Sequence, residues 1–103
     1  MIIFGDNFIL FGDNFLIFGD NFNKKVDNIP NSLINLTFGD NFNQSIDNLP
    51  DSIIYLKLER SFRHSLNKLP NNLLDLELYD KFFYNIDKIK EIVNVRYSYI
   101  LCD

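Results

Sequence analysis

Apolar side chains recur along this chain at a fixed interval of 20 residues. Phe22, Phe42, Phe62 and Phe82 fall in line, then Val26, Ile46, Leu66 and Ile86, then Ile29, Leu49, Leu69 and Ile89. Pro30, Pro50 and Pro70 come next, with Lys90 in the fourth place. Leu33, Ile53 and Leu73 continue the series, as do Leu36, Leu56 and Leu76, and finally Phe38, Leu58 and Leu78. After Lys90 one residue is expected to drop out, so that Ile92, Val95 and Tyr97 resume the pattern. Such an interval marks a repeat architecture, in which no unit buries its own apolar face and neighbours must stack.

Within a repeat the short spacing is Leu33-x-x-Leu36-x-Phe38-x-x-Asn41, then Ile53-x-x-Leu56-x-Leu58-x-x-Ser61, then Leu73-x-x-Leu76-x-Leu78-x-x-Lys81. Alternation at Leu36 and Phe38 predicts a strand with both side chains on one face. Gly39 and Asp40 end it, and Phe42 re-enters the interior. The prolines fix φ and remove a donor, which opposes a helix on the return arm. The predicted fold is mainly β: a short right-handed solenoid with a parallel β-sheet, 20-residue coils and extended convex arms.

The N-terminus repeats faster. Phe4-Gly5-Asp6-Asn7-Phe8 recurs as Phe11-Gly12-Asp13-Asn14-Phe15 and Phe18-Gly19-Asp20-Asn21-Phe22, at an interval of seven residues. Gly and Asn in each unit oppose a coiled coil. Seven residues reach about 23 Å at most, too short for a whole coil. Gly-Asp-Asn is turn chemistry, so an antiparallel meander is one reading. A tandem duplication lying loosely over the first coil is the other, and the meander is favoured. An uncovered edge so apolar would be prone to aggregate. The expected division is a heptad-built cap or meander over 1–15, about four solenoid coils over 16–97, and a tail over 98–103.

The spacing resembles the leucine-rich repeat L-x-x-L-x-L-x-x-N in its shortest, Leu-Pro-containing form. It resembles more closely the FNIP repeat of social amoebae and giant viruses. Phe42-Asn43-Gln44-Ser45-Ile46, Leu49-Pro50 and Ser52-Ile53 are similar to that family's FNQPI…LP.SL consensus, and Phe22-Asn23, Ile29-Pro30 and Ser32-Leu33 form a second copy. The resemblance covers roughly Leu16 to Tyr97. Departures gather C-terminally, where Arg63 and Phe83 replace the Asn after Phe and Lys90 replaces proline. The last coils are therefore expected to be looser. FNIP-repeat proteins often carry an F-box and look like substrate receptors for ubiquitin ligases. The segment before Leu16 is too short for an F-box. Any such role is expected to need a separate adaptor, so the expectation carried from the resemblance is the interaction role, as in a substrate-recognition scaffold, and not the ubiquitin machinery.

Charge and composition narrow the function classes. The 103 residues are 47% hydrophobic, with 10 Lys+Arg against 14 Asp+Glu and a net charge of −4. One domain is expected. An acidic chain is poorly suited to the phosphate backbone, so no nucleic-acid partner is expected. The apolar N-terminal stretch is interrupted too often to span a membrane, and its first basic residue is Lys24, so it is a poor signal peptide. The one cysteine, Cys102, provides no internal disulfide and suits a reducing compartment. A cytoplasmic location is expected, the host cytoplasm for a viral chain.

Candidate chemistry is sparse. The single His64 lies beside Arg63 with no nucleophile or carboxylate at a recognised spacing, and an exposed loop position is expected. Cys102 is penultimate, not fourth from the end as prenylation requires. Gly-Asp-Asn offers oxygen ligands, but its intervals match neither an EF-hand nor a calcium-binding β-helix. Its Asp is expected to cap turns and Asn41 to bond the next coil. No glycine pattern suits a nucleotide. Neither enzyme activity, cofactor nor metal is expected.

With Leu36 and Phe38 inward, Asn35, Thr37 and Gly39 point outward. The following rows are Tyr55, Lys57 and Glu59, then Asp75, Glu77 and Tyr79, then Asn94, Arg96 and Ser98. Tyr and Arg are enriched at binding hot spots. Tyr55, Lys57, Glu59, Asp75, Glu77, Tyr79 and Arg96 are thus the candidate partner-binding residues. The expected function is a non-catalytic protein–protein interaction module using this concave face. The alternative is a structural or degenerate repeat fragment without a dedicated ligand, self-associating through uncapped ends.

Overall fold

The computed structural model describes residues 8–11, 14–80, 89 and 92–98. They form one six-stranded sheet in chain order: β1 (Phe8–Phe11), β2 (Phe15–Phe18), β3 (Asn35–Thr37), β4 (Tyr55–Lys57), β5 (Asp75–Leu78) and β6 (Asn94–Tyr97). β2 to β6 run parallel, with Leu16, Leu36, Leu56, Leu76 and Val95 directly abreast. The 20-residue interval is thus one full circuit of the chain. Among the described residues there is no α-helix, and the return arms are extended.

The circuits turn at the strand end and at the proline, and the second closes a further hydrogen-bonded corner between them. In the second, Phe42 N–H donates to Gly39 O at 3.3 Å, Leu49 N–H to Ile46 O at 3.3 Å, and Ile53 N–H to Pro50 O at 3.3 Å. Proline is tolerated at the first position of the third corner because the turn uses its carbonyl and makes no demand on the N–H that it lacks. The same bond recurs from Leu33 to Pro30 and from Leu73 to Pro70, both at 3.1 Å.

The interior is a continuous apolar column. Leu36, Phe38, Ile53, Leu56 and Leu76 have no exposed surface, and among the described residues no polar side chain is buried with them. Phe18 stacks on Phe38 at 5.2 Å, and Phe22, Phe42 and Phe62 stack at 6.2 Å intervals. Within one coil Phe38 lies flat on Phe42 at 3.7 Å, so the strand end and the following corner share one aromatic contact.

At the N-terminus β1 pairs antiparallel with β2, placing Ile9 opposite Ile17 and Phe11 opposite Phe15. β2 serves both partners: it closes this hairpin and opens the parallel stack. The first heptad copy up to Asn7, the repeat positions Phe82, Ile86 and Lys90, Cys102 and all of the tail beyond Ser98 lie outside the described residues.

Three expectations are corrected. Ile92 does not resume the core: it is 80% exposed, whereas Val93 is 7% exposed and fills the place of Leu73. The omitted residue falls after Val93. In earlier coils two successive N–H groups share one carbonyl, Ile54 and Tyr55 on Ile34 O, Leu74 and Asp75 on Ile54 O. In the last coil only Asn94 donates to Leu74 O, at 2.8 Å, so the counterpart of Leu74 is the one missing. Secondly, Gly39 does not face solvent. A Cβ there would lie 2.5 Å from Gly19 O and 2.8 Å from Asp20 Cα, so only glycine permits this approach of two coils. Thirdly, Asn41 reaches the neighbouring coil through its backbone, its N–H donating to Asp20 O at 3.1 Å. Side-chain rungs come from the Asn after Phe, where Asn23 Oδ1 accepts Asn43 N–H at 2.7 Å and Asn43 Oδ1 accepts Arg63 N–H at 2.9 Å, and from Asp20 and Asp51, which accept Asp40 N–H and Asn71 N–H in the same way.

Candidate interaction face

Strands β2 to β5 alternate buried residues with partly exposed ones, and in β6 half-buried Val95 and Tyr97 alternate with exposed Asn94 and Arg96. Strand register therefore lays the candidate residues in rows across the sheet. One row carries Asn35, Tyr55, Asp75 and Asn94, and a second carries Thr37, Lys57, Glu77 and Arg96. Tyr55, Lys57, Glu59, Asp75, Glu77 and Tyr79 are partly buried by their neighbours, and Arg96 is exposed.

Five of these side chains meet. Lys57 Nζ lies 3.2 Å from Glu59 Oε1 and 3.2 Å from Glu77 Oε2. The other oxygen of Glu77 accepts the Tyr55 hydroxyl at 3.4 Å. The Arg96 guanidinium sits over the Tyr55 ring, 6.0 Å from its centroid. Asp75 is joined instead to Asn94, whose Nδ2 donates to Asp75 Oδ1 at 3.1 Å. Tyr79 lies partly buried on β5's flank of the face.

Among the described residues, two groups have pKa values shifted from their usual ones. Burial, seconded by the Glu77 charge, raises the Tyr55 phenol above its usual 10.0. Burial alone would lower the Lys57 ammonium. Its bonds to Glu77 and Glu59 outweigh that, and its pKa lies above the usual 10.5. Lys57 is therefore charged and clamped at neutral pH, stiffening the centre of the face.

The sequence reading missed the N-terminal part of this face. Phe15 is abreast of Asn35 and Ile17 of Thr37, and both are partly exposed. Counting the same interval backwards from Tyr55 and Lys57 would have found them.

Elsewhere the polar side chains link coils. His64 is exposed as expected, and its Nε2 lies 3.1 Å from Asn43 O. A carbonyl can only accept, so Nε2 carries the proton. His64 thereby takes the role of Gln44, whose Nε2 donates to Asn23 O at 3.3 Å one coil earlier. Among the described residues no three His, Cys, Asp or Glu side chains group to hold a metal, and no helix is long and apolar enough to cross a membrane. A groove of about 540 Å³ lies at the C-terminal end, lined by Leu69, Leu73, Leu74, Ile89 and Ile92 among others.

Parallel strands in 20-residue register, joined by extended arms around an apolar column, define a leucine-rich-repeat-like β-solenoid. The family model of the FNIP Repeat matches residues 24–61 and again 42–81, together more than half of the chain. The chain belongs to the FNIP repeat family. A solved structure described as CroV588, "a novel circular LRR protein", is similar with 48% identity and a TM-score of 0.54. The match covers 60% of this chain and 10% of CroV588, so this chain aligns with about a tenth of that protein's length. No match was found among curated proteins.

Proposed function

We propose that this chain is a non-catalytic protein-interaction module that binds a partner protein in the cytoplasm on the face of β4 to β6. The observation that carries this reading is the linked set Tyr55, Lys57, Glu59, Glu77 and Arg96, spread over three successive coils on a rigid sheet. Preorganised aromatic and charged side chains bind without a large ordering penalty. The family's repeat-solenoid architecture supports the same general role. The test is a pull-down from eukaryotic cytosolic extract with wild type, Tyr55→Ala/Tyr79→Ala, and an arm variant Lys25→Ala/Lys68→Ala. Loss of a saturable partner in the face variant alone is expected. Its loss in the arm variant alone would overturn the reading.

A second reading is self-association at the C-terminal end. Leu74 is 57% and Ile92 80% exposed, and both border the groove. Sedimentation that stays monomeric at rising concentration, with Leu74→Ser/Ile92→Ser identical, would remove this reading.

A further inference from the structure

The face does not treat its charges alike. Lys57 is saturated by Glu59 and Glu77. Glu77 spends one oxygen on Lys57 and the other on the Tyr55 hydroxyl. Asp75 accepts the Asn94 amide. Arg96 stands directly abreast of Glu77 in the sheet, yet its guanidinium forms no ion pair among the described residues. It packs over the Tyr55 ring instead and remains exposed. A guanidinium stacked this way offers donors in a fixed fork that matches a carboxylate.

We propose that Arg96, held on Tyr55, anchors a side-chain carboxylate of the partner: an extended protein segment carrying one Asp or Glu. This rests on the interaction reading of the same face. One unpaired cation bordered by Asp75 and Glu77 favours a monoanion, because a phosphate dianion would meet both carboxylates at close range. The rest of the segment follows from the remaining rows. Strand spacing of about 4.8 Å puts β2 about 10 Å from β4 and about 19 Å from β6. The Arg96 guanidinium reaches from β6 to the Tyr55 ring of β4 and so lies between these limits. Phe15 and Ile17 continue the face on β2. The segment therefore carries an apolar residue about three to six positions from its acid, at about 3.3 Å per extended residue.

The experiment is selection of a random phage-displayed decapeptide library on the whole chain, followed by titration of the synthetic consensus peptide. Wild type should select peptides with one Asp or Glu. Arg96→Gln should weaken the consensus about tenfold or more, as expected for one charge-assisted contact. Peptide Asp→Asn should lose the same factor, and the two losses should not add. Arg96→Glu should select Lys or Arg in place of the acid. Arg96 is exposed, so the variants should keep the wild-type far-UV spectrum. Peptides that need Tyr55 but contain no acid would overturn the role of Arg96 and leave the face intact. Peptides indifferent to both Tyr55→Ala and Arg96→Gln would overturn the face itself. Tighter binding of a phosphoserine-substituted consensus peptide would overturn the choice of a monoanion.

Discussion

Asn43 accepts the backbone N–H of Arg63, its counterpart one coil later, at 2.9 Å, just as Asn23 accepts that of Asn43 at 2.7 Å. The Asn after Phe in the repeat is therefore a rung: its side-chain carbonyl substitutes for the ladder that the sheet provides elsewhere. Arginine has no acceptor, so this row of rungs ends at Arg63. The motif departure seen in the sequence thus has a physical content.

Asn43→Ala should destabilise the chain by about 1 kcal/mol, the net worth of one such bond, plus the exposure of an unpaired Arg63 N–H. Asn41→Ala, two residues earlier, should change stability by less than about 0.5 kcal/mol, because Asn41 bonds the preceding coil through its backbone, its N–H donating to Asp20 O. Urea unfolding of both variants checks this. Equal losses would assign the inter-coil role wrongly.

Gly39→Ala should destabilise despite the general tendency of Gly→Ala to stabilise by restricting the unfolded chain. The new methyl would meet Gly19 C at 2.6 Å and Gly19 O at 2.5 Å, and both are backbone atoms that move only with their coil. Overpacking of this kind costs about 1–3 kcal/mol. A thermal midpoint at or above wild type would show that the coils separate freely.

Much of the fold was legible because the interval of 20 is written in large apolar residues. Leu36, Leu56 and Leu76 had to be abreast once Phe22, Phe42 and Phe62 were in line. Gly39 was misread because alternation tells which way a side chain points but not how near the next coil comes. Ile92 was misread because an apolar type at the expected count outweighed the shift of one residue, and hydrogen-bond pairing, invisible in sequence, decided for Val93. On the face, the rows followed from periodicity. Which charges pair did not, since Lys57 sits between Glu59 and Glu77 while Arg96 bypasses Glu77 for Tyr55.

The corrected register has its own test. Ile92→Ser should be neutral within about 0.5 kcal/mol, since an exposed side chain loses little. Val93→Ser should cost about 2 kcal/mol by removing buried methyls and burying a hydroxyl. Equilibrium unfolding of the two single variants separates the possibilities. The reverse order would restore Ile92 to the core.

The clamp on Lys57 predicts an alkaline limit to stability. Both perturbed groups, Tyr55 and Lys57, have folded pKa values raised above the unfolded ones. For a raised pKa the folded state holds its proton longer, so the contribution is fully present below the unfolded value and is lost as pH rises through the folded one. The window therefore opens near 10.0 for Tyr55 and 10.5 for Lys57 and extends upward. Unfolding free energy should show no loss from this pair below about pH 9 and a fall above it. Lys57→Met should flatten the Lys57 share of that fall, and Tyr55→Phe should remove the phenol's share. The measurement is urea unfolding across the alkaline range for all three proteins. A wild-type curve parallel to that of Lys57→Met would mean that the ammonium is not held by Glu59 and Glu77 in solution.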